Sequence, residues 1–291
     1  MKKLFNSHLP NRKLNEVVLF DHMTKLFTNK KTTAIFIKRA HQTYVKFSLN
    51  GSLKKIRREI GDLIFLVFDK TTKTFKICIL QDKYRKQRPS YDFHFNAEYN
   101  QWKLLKDRPD IISCKLNEYP KHILNFRKDY KSITAYGIFY HDMIDHDIEF
   151  LYIIPDNIES VNLTTKSLNR SFKLKSRSTR YYSSNPDEEI LAYNMDEFEK
   201  YMKAFKIGAP VCCPTLINWI KSVAVTCYKN RNKIIGDYAK DNTTLFDIMR
   251  INQWDENDTL EYNFNFDINV IFLCTDSEYY RNLENESNND F

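Results

Sequence analysis

Between Glu59 and Lys83 the chain reads EIGDLIFLVFDKTTKTFKICILQDK, and this stretch constrains the fold more than any other. Two apolar runs, Leu63 to Phe68 and Phe75 to Leu80, flank the polar hexapeptide Asp69-Lys70-Thr71-Thr72-Lys73-Thr74. Short apolar runs joined by a polar turn predict a β-hairpin. With Phe68 opposite Phe75, Asp62 falls across from Gln81 and Ile60 across from Lys83. Side chains alternate along a strand, so Gln81 and Lys83 share a face with Asp62. A carboxylate, an amide and an ammonium therefore converge at the open end of a hairpin whose middle is apolar.

The carboxylate oxygen of Asp62 and the amide oxygen of Gln81 are hard ligands of the kind Mg²⁺ or Mn²⁺ accepts, together with waters and a substrate phosphate. A lysine beside them can orient an attacking water or stabilise charge developing on the phosphate. Gly61-Asp62 followed by Gln81-Asp82-Lys83 resembles the PD-(D/E)xK, or restriction-endonuclease-like, nuclease superfamily in its Q-x-K variant. The resemblance covers residues 12–110. It implies that Asp62 and Gln81 ligate the metal, that Lys83 is the catalytic lysine, and that Glu16 on the preceding helix adds an acid. It also implies a nucleic-acid substrate, DNA being the expected one, and a setting in bacterial defence. Two departures stand out: no proline precedes Asp62, and the neutral Gln81 replaces a more usual acid. Asp82 is the nearest spare carboxylate, but in a regular strand it faces away. On a plainer reading Asp62 caps a strand start, and Gln81 and Lys83 are a solvated strand end.

Charge is distributed unevenly. Residues 1–60 carry 14 Lys and Arg against 3 Asp and Glu, whereas residues 132–291 carry 16 against 25. A basic front half attracts a polyanion, and a solvated lysine-rich surface is the alternative. The cations named for a nucleic-acid path are Lys54, Lys55, Arg57 and Arg58 before the hairpin, Arg85, Lys86 and Arg88 after it, and Lys173, Lys175 and Arg177 in a stretch, 166–180, that has six cations and no acid. That stretch reads as a flexible arm or an extended linker, and it marks the one internal boundary, near 166–186. The Lys54 to Glu59 segment reads as a phosphate grip or a solvated linker.

The remaining elements follow from periodicity. Asn11 to Phe27 predicts a helix with Leu19, Phe20, Met23 and Phe27 in one stripe, which Glu16 continues; Glu16 either points into a site or curls to solvent at the helix's first turn. Thr32–Lys38 and Thr43–Leu49 predict strands around a turn that contains His41, read as a turn residue. Asn96 to Lys106 predicts a helix with Tyr99, Trp102 and Leu105 inward and Gln101 on an adjacent face. Ser132–Tyr140 and Ile148–Ile154 predict strands. The loop between them holds two His and three Asp, which belong in a polar turn more readily than in a metal site. Asp187–Phe205 and Pro214–Lys229 predict helices, the second with Leu216, Trp219, Ile220, Val223 and Cys227 on an apolar face that is core or a partner interface. Leu260–Thr275 predicts a strand. The six cysteines are scattered without a C-x-x-C and read as reduced, mostly buried thiols.

The chain is thus expected to be α+β or α/β, a mixed β-sheet flanked by helices. A restriction-endonuclease-like core would occupy residues 1–130, and a mixed α/β region residues 131–291. No apolar run reaches membrane-span length, so no membrane partner and a cytoplasmic location are expected. The leading function is a divalent-metal-dependent nuclease. The alternatives are a non-catalytic nucleic-acid-binding protein and an interaction subunit of a defence complex; a homo-oligomer or a protein partner stays open.

Overall fold

The computed structural model describes residues 1–11, 13–28, 33–36, 44–49, 53–85, 94–115, 117–142, 146–161, 169–174, 180–182, 189–191, 194–230, 243–262 and 268–279. In chain order, helices α1 (Lys2–Ser7) and α2 (Glu16–Thr28) precede strands β1 (Thr33–Phe36), β2 (Tyr44–Ser48), β3 (Lys55–Glu59), β4 (Leu63–Asp69), β5 (Thr74–Arg85) and β6 (His94–Glu98). Helix α3 (Tyr99–Asp107) leads to β7 (Ile112–Ser113), β8 (Thr134–His141), β9 (Ile148–Ile153), β10 (Ile158–Ser160), β11 (Asn169–Leu174), β12 (Arg180–Tyr182) and β13 (Glu189–Leu191). The remainder is α4 (Met195–Lys203), β14 (Ala209–Val211), α5 (Pro214–Lys229), α6 (Thr243–Ile251) and β15 (Asn269–Thr275).

The expected hairpin forms in the expected register: Phe68 lies opposite Phe75 and Leu63 opposite Leu80. It is the centre of a mixed 7-stranded sheet of order β1-β15-β4-β5-β8-β9, with β14 also pairing β5. Strand β8 runs parallel to β5, and β15 runs parallel to β4. The sheet therefore draws strands from both sides of residue 130.

Both faces of the hairpin are covered, which is why its strands are apolar at nearly every position. Ile64, Leu66, Phe68, Ile77 and Ile79 pack with Trp219, Ile220 and Val223 of α5. Leu63, Phe65, Val67, Cys78 and Leu80 pack with Leu19, Phe20 and Met23 of α2 and Phe198 of α4. Helix α2 starts where Asn15 Oδ1 accepts the Val18 N–H at 3.0 Å, a side-chain cap that fixes Glu16 in the first turn. Helix α3 ends at Arg108, whose φ of 49° is left-handed and whose guanidinium grips both oxygens of Asp156 at 2.8 and 3.2 Å.

Several expectations are corrected. The apolar face Leu216 to Cys227 is entirely buried in the core, with the Trp219 Nε1 hydrogen donated to the Glu118 carbonyl at 2.9 Å, so it offers no surface to a partner. Lys55–Glu59 is not a linker but a strand paired with β2. The strands predicted at Thr32–Lys38 and Thr43–Leu49 exist, but β1 joins the large sheet while β2 joins β3 and β7. The helix expected from Asn96 begins at Tyr99, because His94–Glu98 pairs with β11. Within the expected arm, Asn169–Leu174 is a strand between β10 and β6. The helix expected from Asp187 begins at Met195, where Asn194 and Glu197 form a reciprocal capping box, and Glu189–Leu191 is a strand. The strand expected over Leu260–Thr275 is described from Asn269. The predicted turn with His41 lies outside the described residues, as do Phe27's side chain and the centre of the loop 141–147. Cys78, Cys227 and Cys274 are buried, whereas Cys114 and Cys212 are exposed; all of the cysteines are free. Among the described residues, no helix is long and apolar enough to cross a membrane.

Candidate functional site

The hairpin's open end is shaped by Gly61. A Cβ there would sit 2.7 Å from Ile79 Cγ2 and 3.1 Å from the Leu80 carbonyl oxygen, so only glycine lets the backbone lie this close to β5. The next residue's N–H then donates to that same Leu80 carbonyl at 2.9 Å, which places Asp62 at the strand entrance, opposite Gln81.

Four residues named from the sequence meet here. The Gln81 side-chain amide donates to Asp62 Oδ2, and the Asp82 backbone N–H donates to the same oxygen at 2.7 Å. Lys83 Nζ donates to Glu16 Oε1 at 3.3 Å and to the Asp82 carbonyl at 2.7 Å. Gln101, from α3, donates its amide to the Gln81 side-chain oxygen. Gln81 and Gln101 are both buried, at 2% and 7% exposure, so this amide chain is fixed rather than solvated. Strand alternation explains the pairing: Gln81 points to the side where α3 presents Gln101, Asp82 points to the other, and the Lys83 ammonium lies at the sheet's end within reach of Glu16 on α2.

Asp82 is accordingly enclosed in the apolar layer beneath α2. Neither carboxyl oxygen has a hydrogen-bond partner, and the Cβ that Gly137 lacks would fall 2.5 Å from Asp82 Oδ1. Burial first, then the charges of Asp62 and Glu16, hold its carboxyl far above the usual range.

Glu59 is a member of the site that the sequence reading passed over. Burial, followed by the negative charge of Asp62, raises its carboxyl to about 8 against the attraction of Lys83. Burial likewise raises Asp62 to about 6, opposed by Lys83 and by the Asp82 N–H. The site thus gathers the carboxyls of Glu16, Glu59 and Asp62 around one ammonium, and two of the three are held up by burial and mutual repulsion. A divalent cation relieves such a condition, and the donors are the hard oxygens it prefers. Among the described residues no group of three His, Cys, Asp or Glu side chains is placed to hold a metal by itself. An ion at this site would rely on Asp62 and the Gln81 amide oxygen, with waters and Glu16 completing its shell.

The cationic residues scatter by comparison. Lys55 and Arg57 are exposed on β3, with the Arg57 guanidinium 4.2 Å from the Tyr44 ring centroid, whereas Arg58 is paired with Glu98. Lys54 is exposed just before that strand. Arg85 follows Lys83 on the same face of β5. Lys173 pairs with Glu159 at 3.1 Å in the β10-β11-β6 sheet. Lys86, Arg88, Lys175 and Arg177 lie outside the described residues. In the loop 141–147, His141 Nε2 is 3.0 Å from the Tyr84 hydroxyl, a local contact across β5 and β8.

No family model matches this chain, and neither a curated protein nor a solved structure matches it.

Proposed function

We propose that the open end of the β4–β5 hairpin is the active centre of a divalent-metal-dependent nuclease of the PD-(D/E)xK kind, with DNA as the expected substrate. One observation carries the reading: Glu16, Asp62, Gln81 and Lys83, from α2, the entrance of β4 and the length of β5, form two hydrogen-bonded pairs, Asp62 with Gln81 and Glu16 with Lys83, and the backbone of Asp82 bridges them. The order of elements supports it in part: the Gln81-Asp82-Lys83 strand is followed, after the short β6, by α3 and then, after β7, by a parallel neighbour, β8.

Asp62 and Gln81 would hold Mg²⁺ or Mn²⁺, with Glu16 adjacent, and the ion would supply Lewis acidity at a phosphoryl oxygen. Lys83 is held from two sides, by Glu16 and by its own strand's carbonyl, so its ammonium is pre-aimed rather than waving in solvent. It orients the attacking water and offsets charge developing on the phosphate. Gln101 fixes the Gln81 amide plane, and Asn269 Nδ2, 3.4 Å from the Asp62 carbonyl, ties β15 to the same corner. Lys54, Lys55 and Arg57 supply the electrostatic attraction that brings a polyanion toward it.

A second reading is favoured by the closed amide chain: Gln81 is satisfied at both ends, by Asp62 and Gln101, without any cation. The chain would then bind nucleic acid without cutting it. Cleavage assays separate the two. Supercoiled DNA, linear DNA and single-stranded RNA are incubated with Mg²⁺, Mn²⁺ or EDTA and the wild type, Asp62→Ala or Lys83→Ala. The nuclease reading expects metal-dependent cutting that falls at least about a hundredfold in each variant. Salt-sensitive binding with no cutting under any condition favours the binding module instead.

A further inference from the structure

One face of the small sheet β3-β2-β7 packs on the core through Val45, Phe47 and Ile56, and strand alternation turns their neighbours outward. The outward row on β2 is Tyr44, Lys46 and Ser48, and the residues across from it on β3 are Glu59, Arg57 and Lys55. Lys46, Ser48, Lys55 and Arg57 are all exposed. Lys46 thus lies directly opposite Arg57, a like-charged cross-strand pair that costs stability. The ion pair on β3 belongs to Arg58, which turns to the other side and meets Glu98. Among the described residues, Lys46, Lys55 and Arg57 have no carboxylate partner. The adjoining chain supplies none either, because residues 22–58 hold ten Lys and Arg and no Asp or Glu.

We infer that this outward face of β2 and β3 docks the sugar–phosphate backbone of nucleic acid and leads it to the corner formed by Asp62 and Lys83; that alignment rests on the nuclease reading. A polyanion laid on the face neutralises the repulsion between Lys46 and Arg57 that the chain itself leaves in place. Lys55 and Arg57 are two residues apart, about 6.6 Å along the strand, close to the step between neighbouring phosphates. The row ends at Glu59, whose carboxyl feels the charges of Asp62 and Lys83, so the face runs into the corner without a break. From Lys55 to Glu59 the strand advances about 13 Å, which places the docked phosphates within two or three steps of the one at Lys83. The face meets backbone and not bases. The Arg57 guanidinium, 4.2 Å from the Tyr44 ring centroid, covers the one aromatic ring of the row, and the contacts that remain are to phosphate and carry no sequence preference.

Binding is measured in EDTA, so the result does not depend on cleavage. Fluorescence anisotropy follows a labelled DNA duplex of arbitrary sequence over a range of salt concentrations. The proteins are the wild type, Lys46→Gln/Lys55→Gln, and Lys121→Gln/Lys221→Gln, which removes the same net charge from lysines paired with Asp110 and Asp258 elsewhere. Circular dichroism confirms that both variants are folded. The slope of log affinity against log salt should fall by about two in Lys46→Gln/Lys55→Gln and stay close to the wild-type value in the control, with a loss on the order of tenfold at low salt in the first alone. An unchanged slope in Lys46→Gln/Lys55→Gln, or an equal fall in the control, overturns the inference. Equally tight binding of a polyglutamate probe of the same charge overturns it too, in favour of an acidic protein partner. If the slopes behave as expected while no metal supports cutting, the docking face stands and the nuclease reading falls. If cutting is metal-dependent but the slope is unchanged, the reverse holds.

Discussion

Glu59→Gln tests the electrostatics of the site through folding stability alone. The Glu59 carboxyl sits at about 8 in the folded chain, against an ordinary value of 4.5. The folded state therefore retains a proton that the unfolded state releases, and stability from this group falls as pH rises between those values. Below 4.5 both states are protonated and the group contributes no difference. Asp62, raised to about 6, and Asp82, raised far above the usual range, add pH dependence of their own, and comparison over pH 6 to 8 with Glu59→Gln, which leaves both in place, isolates Glu59. Each pH unit there carries at most about 1.4 kcal/mol, and a half-buried group screened by solvent brings the total to on the order of 2 kcal/mol. Denaturant unfolding in EDTA reads it out. The wild type should lose on the order of 2 kcal/mol relative to Glu59→Gln between pH 6 and 8, and the two should converge near pH 4.5. Saturating Mg²⁺ should shrink the gap. Parallel pH curves for the two proteins would refute the crowding of acids around Lys83.

Other substitutions test the scaffold by thermal or denaturant unfolding. Gly61→Ala places a Cβ 2.7 Å from Ile79 Cγ2 and should cost about 1–3 kcal/mol while displacing Asp62; an unchanged midpoint would contradict the close approach. Asp82→Val removes two buried carboxyl oxygens that lack partners and should leave stability equal or raise it by about 1 kcal/mol, whereas a large loss would mean that Asp82 has a partner. Trp219→Ala should cost about 3–5 kcal/mol, as expected of a core residue, and a loss under about 1 kcal/mol would return α5 to the surface.

The hairpin and its register were legible because two uninterrupted apolar runs bracket one polar turn, which leaves little choice of pairing. From that register the meeting of Asp62 with Gln81 follows, as does Asp82's opposite orientation. Glu59 was hidden among Lys54, Lys55, Arg57 and Arg58, where an acid reads as local charge balance; only the three-dimensional approach of β3 to the hairpin's open end reveals it. The position of β15 between β1 and β4 was beyond local patterns, because an apolar strand states that it is buried and not beside which strand. The same limit applies to the α5 stripe, whose burial against the sheet satisfies the periodicity as well as a partner helix would. The cationic stretch around Lys173 did carry a signal that was missed. Phe172 and Leu174 alternate with polar neighbours, the period of a strand, and Phe172 is fully buried against Trp102 and Phe95.

The central claim is that Asp62 and Gln81 hold a divalent ion in front of Lys83. Its most direct test is to soak crystals of the protein with Mn²⁺ and to locate the ion by anomalous scattering, in the wild type and in Asp62→Ala. The account predicts one strong peak within coordination distance of Asp62 and the Gln81 amide oxygen, lost in the variant. A map with no peak at this corner, or a peak that persists without the Asp62 carboxylate, would contradict it.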